Sequence, residues 1–418
     1  MSEIPDRKTV GGDLVLPYGT HVLPAGHLLL YNQHDRPRRI ERIVPMKLIG
    51  WRSFERPAIG HNGLDSESII DYLSMVKALV LENLRDLQLR DVPEPELGSG
   101  DVLIEVKACG ICGSDVHGYD GSTGRRIPPI IMGHEAAGIV IRVDPEVGTV
   151  GVGERVTFDS TVSCGICSFC RTGDVNLCDS RQVLGVSCGD YRRNGAFAEY
   201  VSVPAHIVYP LSMDFPFEKA SLIEAVSIAV HAAKITEIRP GSSAAVIGAG
   251  MIGVLAVQAF RQYGCEKVFA VDLEQDRLDV AHRLGADETF LATDPELTHK
   301  LNQSAGGKGI DIVVDAVGTQ SSIATAIQVV RRGGTVTLIG NLAPKVEVPL
   351  QSVVTRQLRL LGSCASAGEY RECIELVANG SINVDPLVSA VVPLSEGPAW
   401  FDRLYNREPG LMKVILQP

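Results

Sequence analysis

A short β-branched run at residues 244–247 leads directly into a glycine-rich turn and then into an apolar stretch with helical spacing; the turn reads Gly248-Ala249-Gly250-Met251-Ile252-Gly253. A strand, a G-x-G-x-x-G turn and a helix in this order predict a dinucleotide-binding unit. The glycines let the backbone approach a pyrophosphate, and the helix N-terminus favours an anion. A second strand-like run ends in Asp272. This order of elements predicts a parallel sheet with flanking helices.

The acidic residue after the second strand indicates which dinucleotide binds. A carboxylate there accepts hydrogen bonds from the ribose and repels a 2′-phosphate, which favours NAD over NADP. Arg277 is a nearby cation that could accommodate a phosphate, so NADP is the disfavoured alternative. An empty or non-redox Rossmann-like domain is the other alternative. The predicted cofactor-binding residues are Gly248, Gly250, Met251, Ile252, Gly253, Asp272, Arg277, Val317 and Gly340. The last two follow later strands, where simple turns are the competing explanation.

Four cysteines lie close together in the first half of the chain, at Cys164, Cys167, Cys170 and Cys178. Four thiolates can close a tetrahedral shell around zinc and leave no open position, which is typical of a structural site. An iron–sulfur run has a related spacing, but its final gap differs from this one. Disulfides are disfavoured because we find no signal peptide. The sequence therefore predicts a structural zinc.

A second set of metal-ligating residue types is spread more widely, at Cys112, His134, Glu135 and Glu224. Cysteine, histidine and carboxylate ligands with one exchangeable position are what a catalytic zinc needs. Spacing alone does not show that these residues meet, because a buried cysteine often serves only in packing.

Charge and hydropathy limit the partners and the location. The 418 residues carry a net charge of −11, so nucleic acid and anionic membranes are not expected partners. Residues 240–260 lack charge, but their glycines favour a strand, a turn and a helix over a membrane span. Without a signal peptide, the ten cysteines are expected to be thiols and metal ligands in a cytoplasmic protein.

The chain divides into segments of different character. Residues 1–74 hold nine basic and nine acidic residues without sustained periodicity. They are expected to be an irregular extension, or a stretch upstream of a natural start at Met75. From residue 75 short β-branched runs alternate with turns and predict a mostly β domain. From about residue 240 strands alternate with helices, and a helix and a final strand close the chain.

Several motifs in this order resemble the medium-chain zinc alcohol dehydrogenases over residues 75–418. They are Gly110-Ile111-Cys112-Gly113-Ser114-Asp115, Gly133-His134-Glu135, the four-cysteine cluster and the glycine-rich turn. Ser221-Leu222-Ile223-Glu224 is similar to the polyol branch, which includes sorbitol and galactitol-phosphate dehydrogenases. The resemblance implies an α/β protein with a GroES-like, mostly β catalytic domain at 75–226 that carries the structural zinc lobe. It also implies a Rossmann NAD-binding domain at 227–362 and a C-terminal return to the catalytic domain at 363–418.

The resemblance also implies roles for individual residues. Cys112, His134 and Glu224 would hold a catalytic zinc, the second zinc of each subunit, and Glu135 would exchange with water or substrate as a ligand. Ser114 would take the alcohol proton and His117 would pass it to solvent, although His117 could instead be an ordinary surface histidine. The implied reaction is hydride transfer from a secondary alcohol of a polyol or sugar alcohol, with or without a phosphate, to NAD. A homodimer or homotetramer is the implied assembly.

One position departs from the polyol pattern. Ala225 follows Glu224, where that branch usually has proline. A threonine or sugar dehydrogenase of the same family therefore stays open as an alternative. A non-enzymatic NAD-binding sensor or structural protein on the same fold is disfavoured, because the expected ligands and proton relay are all present.

Overall fold

The computed structural model describes residues 75–189 and 191–418, together with three strands in the first 74 residues. The chain forms two compact units, residues 1–65 and 66–418. In the first unit, β1 (Tyr18–Leu23), β2 (His27–Asn32) and β3 (Ile43–Pro45) form an antiparallel sheet in that order. The rest of the extension, including the stretch just before Met75, lies outside the described residues.

A mostly β domain begins the second unit. Its strands are β4 (Met75–Asn83), β5 (Asp86–Pro93), β6 (Asp101–Gly110), β7 (Ile130–Ile131), β8 (Glu135–Val143), β9 (Arg155–Phe158), β10 (Thr161–Val162), β11 (Gln182–Val183), β12 (Val186–Ser187), β13 (Arg192–Arg193), β14 (Tyr200–Pro204), β15 (Val208–Pro210), β22 (Val388–Pro393) and β23 (Lys413–Gln417). Its helices are α1 (Gly113–Tyr119), α2 (Ser168–Thr172), α3 (Phe217–Ala220) and α11 (Gly397–Tyr405).

The main sheet of this domain is built from both ends of the unit. Its strand order is β15–β9–β8–β6–β23–β22, and β14 also pairs with β6. β23 lies antiparallel to β6, with Ile415 opposite Gly110 and Leu416 opposite Cys109. A smaller sheet, β5–β4–β7, contributes apolar side chains to the same core as the main sheet. The strands from the end of the chain therefore complete the domain that the early strands begin.

A parallel α/β domain lies between these two contributions. Its strands are β16 (Ser243–Ile247), β17 (Lys267–Asp272), β18 (Glu288–Leu291), β19 (Ile310–Asp315), β20 (Val330–Leu338) and β21 (Arg359–Gly362). Its helices are α5 (Met251–Gln262), α6 (Gln275–Arg283), α7 (Leu297–Ser304), α8 (Gln320–Val329), α9 (Leu350–Thr355) and α10 (Tyr370–Ala378). Every pairing is parallel, in the order β18–β17–β16–β19–β20–β21. This doubly wound order confirms the predicted fold class.

One helix connects the two domains. α4 (Ile223–Ile235) is buried along most of its length, because its alanine and valine side chains allow close packing on several sides. It packs against α5 and α10 in one apolar core, and that core also contains Ala137 of β8. Glu224 lies in its first turn, so the helix fixes this carboxylate relative to both domains.

Within residues 75–189 and 191–418 and the three upstream strands, we find no helix with the length and apolar character needed to cross a membrane.

The glycine-rich turn allows a matched test of the fold. A Cβ built on Gly253 would lie 1.6 Å from the Gly248 carbonyl oxygen, whereas one built on Gly250 meets nothing closer than 3.9 Å. We expect G253A to destabilise the chain by at least about 4 kcal/mol, because strand and helix must separate. Its Tm should fall by about 10 °C, and that of G250A by only about 2 °C. Thermal unfolding followed by circular dichroism makes the comparison, and equal Tm values would contradict the predicted close approach.

Candidate metal centres and coenzyme site

The four-cysteine cluster forms a compact lobe around α2. The Sγ atoms of Cys164, Cys167, Cys170 and Cys178 all lie within 4.8 Å of one another. The Cys164 amide donates to the Cys178 sulfur at 3.3 Å, and the Cys170 amide donates to the Cys167 sulfur at 3.5 Å. The backbone therefore folds around the sulfurs, and its amides donate hydrogen bonds to two of them.

The chemistry of this donor set fits zinc. Amide donation, first from Cys170, lowers the pKa of Cys167 to about 6, so this thiol ionises easily. Amide hydrogen bonds also lower the pKa of Cys164. Four sulfur ligands at this spacing leave no position for a substrate, as in structural zinc sites. All ten cysteines are free of disulfides.

A second group of ligand atoms comes together at the end of β6 and the start of β8. Cys112, His134 and Glu135 each offer one ligand atom, and these atoms lie within 4.8 Å of one another. Cys112 caps the N-terminus of α1, and Glu135 is the first residue of β8. His134 and Glu135 are buried and Cys112 is half-buried. Sulfur, nitrogen and oxygen donors in one compact group fit a catalytic zinc.

Asp115 connects two members of this group. Its Oδ1 lies 3.4 Å from His134 Nδ1, and its Oδ2 accepts a hydrogen bond from the Cys112 amide at 3.3 Å. The Nδ1 atom is buried and has no well-formed hydrogen bond among the described residues. Burial opposes charge on His134, but Asp115 and Cys112 outweigh that effect and raise its pKa well above the usual range. A histidine that faces a carboxylate through one nitrogen is oriented to offer its other nitrogen to a metal.

Glu135 is paired with a lysine from the far end of the chain. Lys413 of β23 lies 2.5 Å from Glu135 Oε2, and its ammonium also donates to the Ile111 carbonyl at 3.0 Å. Both side chains are almost completely buried. Desolvation opposes the charge on Lys413, yet Glu135 and Cys112 raise its pKa above the usual value. The lysine limits how freely the Glu135 carboxylate can move.

Glu224 lies outside the compact group formed by Cys112, His134 and Glu135. Its Oε1 accepts a hydrogen bond from Ser160 Oγ at 3.1 Å, and its side chain is buried. Burial, with a contribution from Glu135, raises its pKa to about 7. Burial also raises the pKa of its neighbour Asp159 to about 7. Two acids that resist ionisation side by side indicate a place where a cation is needed.

The residues predicted to move the proton sit on α1, directly after Cys112. Ser114 is exposed and His117 is half-buried. A guanidinium nitrogen of Arg126 lies 3.5 Å from Ser114 Oγ, the outer limit of a hydrogen bond. The helix thus carries a metal-ligand candidate and both relay candidates within two turns.

The predicted coenzyme residues lie side by side at the carboxyl edge of the parallel sheet. Asp272, at the end of β17, accepts a hydrogen bond from the Ala249 amide at 2.6 Å and another from the Glu274 amide at 3.0 Å. Met251 and Ile252 begin α5 beside the turn, and both are half-buried. The structure therefore brings the acid against the glycine-rich turn.

The later strands supply the other side of this edge. A Cβ built on Gly248 would lie 2.4 Å from Val317 Cγ2, and one built on Gly340 would lie 2.2 Å from the Val317 carbonyl carbon. The three residues therefore touch at the point where strand order reverses, between β16 and β19, which is where such sheets bind ligands. Arg277 is paired with Glu274 at 3.1 Å and lies near Gly250.

Four residues near these sites had no predicted role. Lys413, Arg126 and Asp159 carry no motif, and their positions depend on contacts far apart in sequence. Asp115 is part of the motif that contains Cys112. Its position three residues after Cys112 was the one sequence signal for a role at the metal-binding group.

A polar network links the zinc lobe to the connection between domains. Asn176 lies 3.3 Å from His231 Nε2 and donates to the Cys364 carbonyl at 2.7 Å. His231 Nδ1 lies 2.9 Å from Glu369, directly before α10. Arg181 also reaches the Cys364 sulfur, at 2.9 Å. The lobe is thus hydrogen-bonded to the segment around Cys364, which leads from the parallel domain back toward the first domain.

Comparison with known proteins agrees with this architecture. Residues 98–213 match the alcohol dehydrogenase GroES-like domain, and residues 252–379 match the zinc-binding dehydrogenase family. A probable D-xylulose reductase A of Arthroderma otae is 34% identical, over 78% of this chain and 93% of its own length. Sorbitol dehydrogenase of Bacillus subtilis is 31% identical, over 82% of this chain and 97% of its own length.

A solved structure gives the same result. A zinc-binding dehydrogenase of Sinorhizobium meliloti bound to NADP superposes with a TM-score of 0.75 at 32% identity, over 82% of this chain and all of its own. Both family matches, the near-complete coverage of the relatives and the two sets of ligand atoms confirm the predicted family. The chain belongs to the medium-chain zinc-dependent alcohol dehydrogenases and is an oxidoreductase that uses zinc and a nicotinamide dinucleotide.

Proposed function

We propose that this enzyme oxidises a secondary alcohol of a polyol or sugar alcohol, with or without a phosphate, and passes the hydride to NAD. The observation that carries the proposal is the compact set of half-buried Cys112 and buried His134 and Glu135, with Glu224 beside it. A metal centre with one thiolate and carboxylate neighbours is the pattern that resembles the polyol branch. Two relatives named for polyol chemistry, a D-xylulose reductase and a sorbitol dehydrogenase, support the same substrate class.

The side chains at the metal centre would have different roles. Cys112, His134 and Glu224 would hold the catalytic zinc, and Glu135 would exchange with water or substrate. When bound, the metal supplies Lewis-acid polarisation of the substrate oxygen. Asp115 orients His134, and Lys413 restrains Glu135 through their 2.5 Å contact. The four cysteines of the lobe would hold the second, structural zinc.

Proton movement falls to residues of α1. Ser114 would accept the hydroxyl proton and His117 would pass it to solvent, since both side chains reach the surface from the helix that Cys112 begins. A proton acceptor beside a polarised hydroxyl is the general-base arrangement. The pH dependence of kcat in H117A is the measurement for this relay.

The coenzyme would bind along the carboxyl edge of the parallel sheet. The glycine-rich turn and the N-terminus of α5 would take the pyrophosphate, and Val317 and Gly340 would line the crevice. Asp272 is the group that would select NAD by repelling a 2′-phosphate.

Assembly and location follow from other features. β21 is an edge strand of the parallel sheet and pairs only with β20 among the described residues. Apolar side chains on it and close to it in sequence are exposed, at Leu342, Val348, Leu350, Val354 and Leu360. An exposed edge with an apolar border favours pairing with a second copy. We propose a homodimer or a homotetramer formed from such dimers, and light scattering would measure its mass.

The free cysteines favour a reducing compartment. We place the enzyme in the cytoplasm, which cell fractionation would check.

Dehydrogenase activity on a substrate panel tests the function. The panel holds sorbitol, xylitol, galactitol 1-phosphate, threonine and glucose, each with NAD, before and after zinc chelation. We expect turnover of a polyol or its phosphate, abolished by chelation. C112S should lower kcat at least about 1,000-fold, because the Lewis acid is lost.

C170S is the matched control for this experiment. Both variants should bind one zinc per chain where the parent binds two, and only C170S should lower the Tm, because its metal closes the lobe. Turnover of threonine or glucose alone would favour the threonine or sugar dehydrogenase reading left open by Ala225. Full activity in C112S would contradict the catalytic centre.

Coenzyme choice has its own test. D272N keeps hydrogen-bonding capacity toward the Ala249 amide but removes the negative charge. We expect the ratio of kcat/KM for NAD to that for NADP to fall about tenfold or more, because like-charge repulsion of the 2′-phosphate is lost. D279N, an exposed position later in α6, is the control and should leave the ratio unchanged. An unchanged ratio in D272N would show that Asp272 does not select the coenzyme.

A further inference from the structure

Arg126 is a buried arginine that no motif of the family pattern explains. Its side chain is 3% exposed, and its Nη2 lies 2.8 Å from Asp115 Oδ1. Nη1 donates to the Arg125 carbonyl at 3.1 Å, and Nε is buried without a hydrogen-bond partner among the described residues. Burying a guanidinium is costly unless it is well paired, and here the pairing is incomplete. The two Nη atoms and the packing of the side chain therefore hold the guanidinium in place, and Nε contributes no hydrogen bond.

The partner of Arg126 is the carboxylate that touches the metal-binding group. Asp115 Oδ1 faces both Arg126 and His134 Nδ1, while Oδ2 receives the Cys112 amide. Asp115 has no exposed surface, so its position depends on these contacts. Because the carboxylate can rotate, the guanidinium determines which way Oδ1 points.

A glycine on α1 provides the space for this arginine. A Cβ built on Gly118 would lie 2.3 Å from Arg126 Cγ and 3.3 Å from its Cβ. Glycine inside a helix costs stability relative to alanine, so its presence in this short helix needs a packing reason. The crossing of the Arg126 side chain over Gly118 supplies that reason. Two positions eight residues apart thus fit each other and place one cation behind the metal-binding group.

We propose that Arg126 is a positioning residue of the catalytic metal centre. It holds the Asp115 carboxylate so that Oδ1 stays against His134 Nδ1, which leaves the other imidazole nitrogen for the metal. Its guanidinium also pairs with Asp115 inside the fold, at 2.8 Å, so the carboxylate keeps this position without any contact with solvent. The inference rests on the catalytic metal centre of the proposed function and adds to it a residue two contacts away from the ligand His134.

The test compares R126M, R126K and G118A with the parent chain. Zinc affinity is measured by chelator competition, and the absorption spectrum is recorded after cobalt(II) replaces the catalytic zinc. R126M should weaken the catalytic zinc about 10- to 100-fold, the range for partners of metal ligands, and shift the cobalt bands. G118A should act in the same direction, because it displaces Arg126 while every polar side chain remains. R126K should recover part of the affinity, since it keeps the charge without the planar fork.

Two controls separate positioning from general damage. R125M changes the exposed neighbouring arginine and should match the parent in both readouts. The structural zinc in each variant reports on folding and should stay bound. Parent-like zinc affinity and cobalt spectrum in both R126M and G118A would overturn the proposal. Parallel loss of both zinc ions in all three variants would also overturn it, by showing a purely structural role. A parent chain that binds only the structural zinc would refute the catalytic centre itself.

Discussion

Carboxylates buried away from water need cations or hydrogen-bond donors within reach. The region around Cys112 and His134 holds four buried carboxyl groups, those of Asp115, Glu135, Asp159 and Glu224. Asp115 forms an ion pair with Arg126, and Glu135 forms one with Lys413. All four side chains are almost fully buried. Glu224 and Asp159 have no such cation, and burial raises the pKa of each to about 7. A metal ion held by Cys112, His134 and Glu224 would supply the positive charge that Glu224 lacks.

The groups that meet there come from distant parts of the fold, so the site depends on the whole second unit. Cys112 caps α1 and Asp115 lies within it, Glu224 belongs to the helix that joins the domains, and Lys413 belongs to the last strand. The sheet fixes these distances through the pairing of β23 with β6. The same helix that carries Glu224 packs against α5 behind the coenzyme edge. A shift of either domain therefore moves a carboxylate relative to the metal-binding group.

The local sequence was enough to predict those structural elements that are determined by neighbouring residues. The glycine-rich turn, the strand before it and the helix after it are fixed by neighbouring residues, and the structure has them at β16 and α5. The metal-binding cysteine lobe could likewise be predicted, because four ligands within one loop cannot be far apart. Spacing could not show that Cys112 meets His134, since tertiary pairing decides it, and the family resemblance supplied that expectation. Short exposed strands such as β18 and β21 carry no alternating pattern, and their place comes only from the sheet.

The discontinuous first domain has a consequence for the order in which this protein is made. Residues of the parallel sheet leave the ribosome before Lys413–Gln417 does, and domains generally fold as units during synthesis. The middle domain can therefore close while the flanking one still lacks the strand beside β6. Until that strand arrives, Glu135 has no counter-charge and the carboxylates of the site cannot be buried together. A zinc at Cys112, His134 and Glu224 would therefore be bound only after Lys413 has been made, whereas the cysteine lobe, contained within one short loop, could bind its zinc earlier in synthesis.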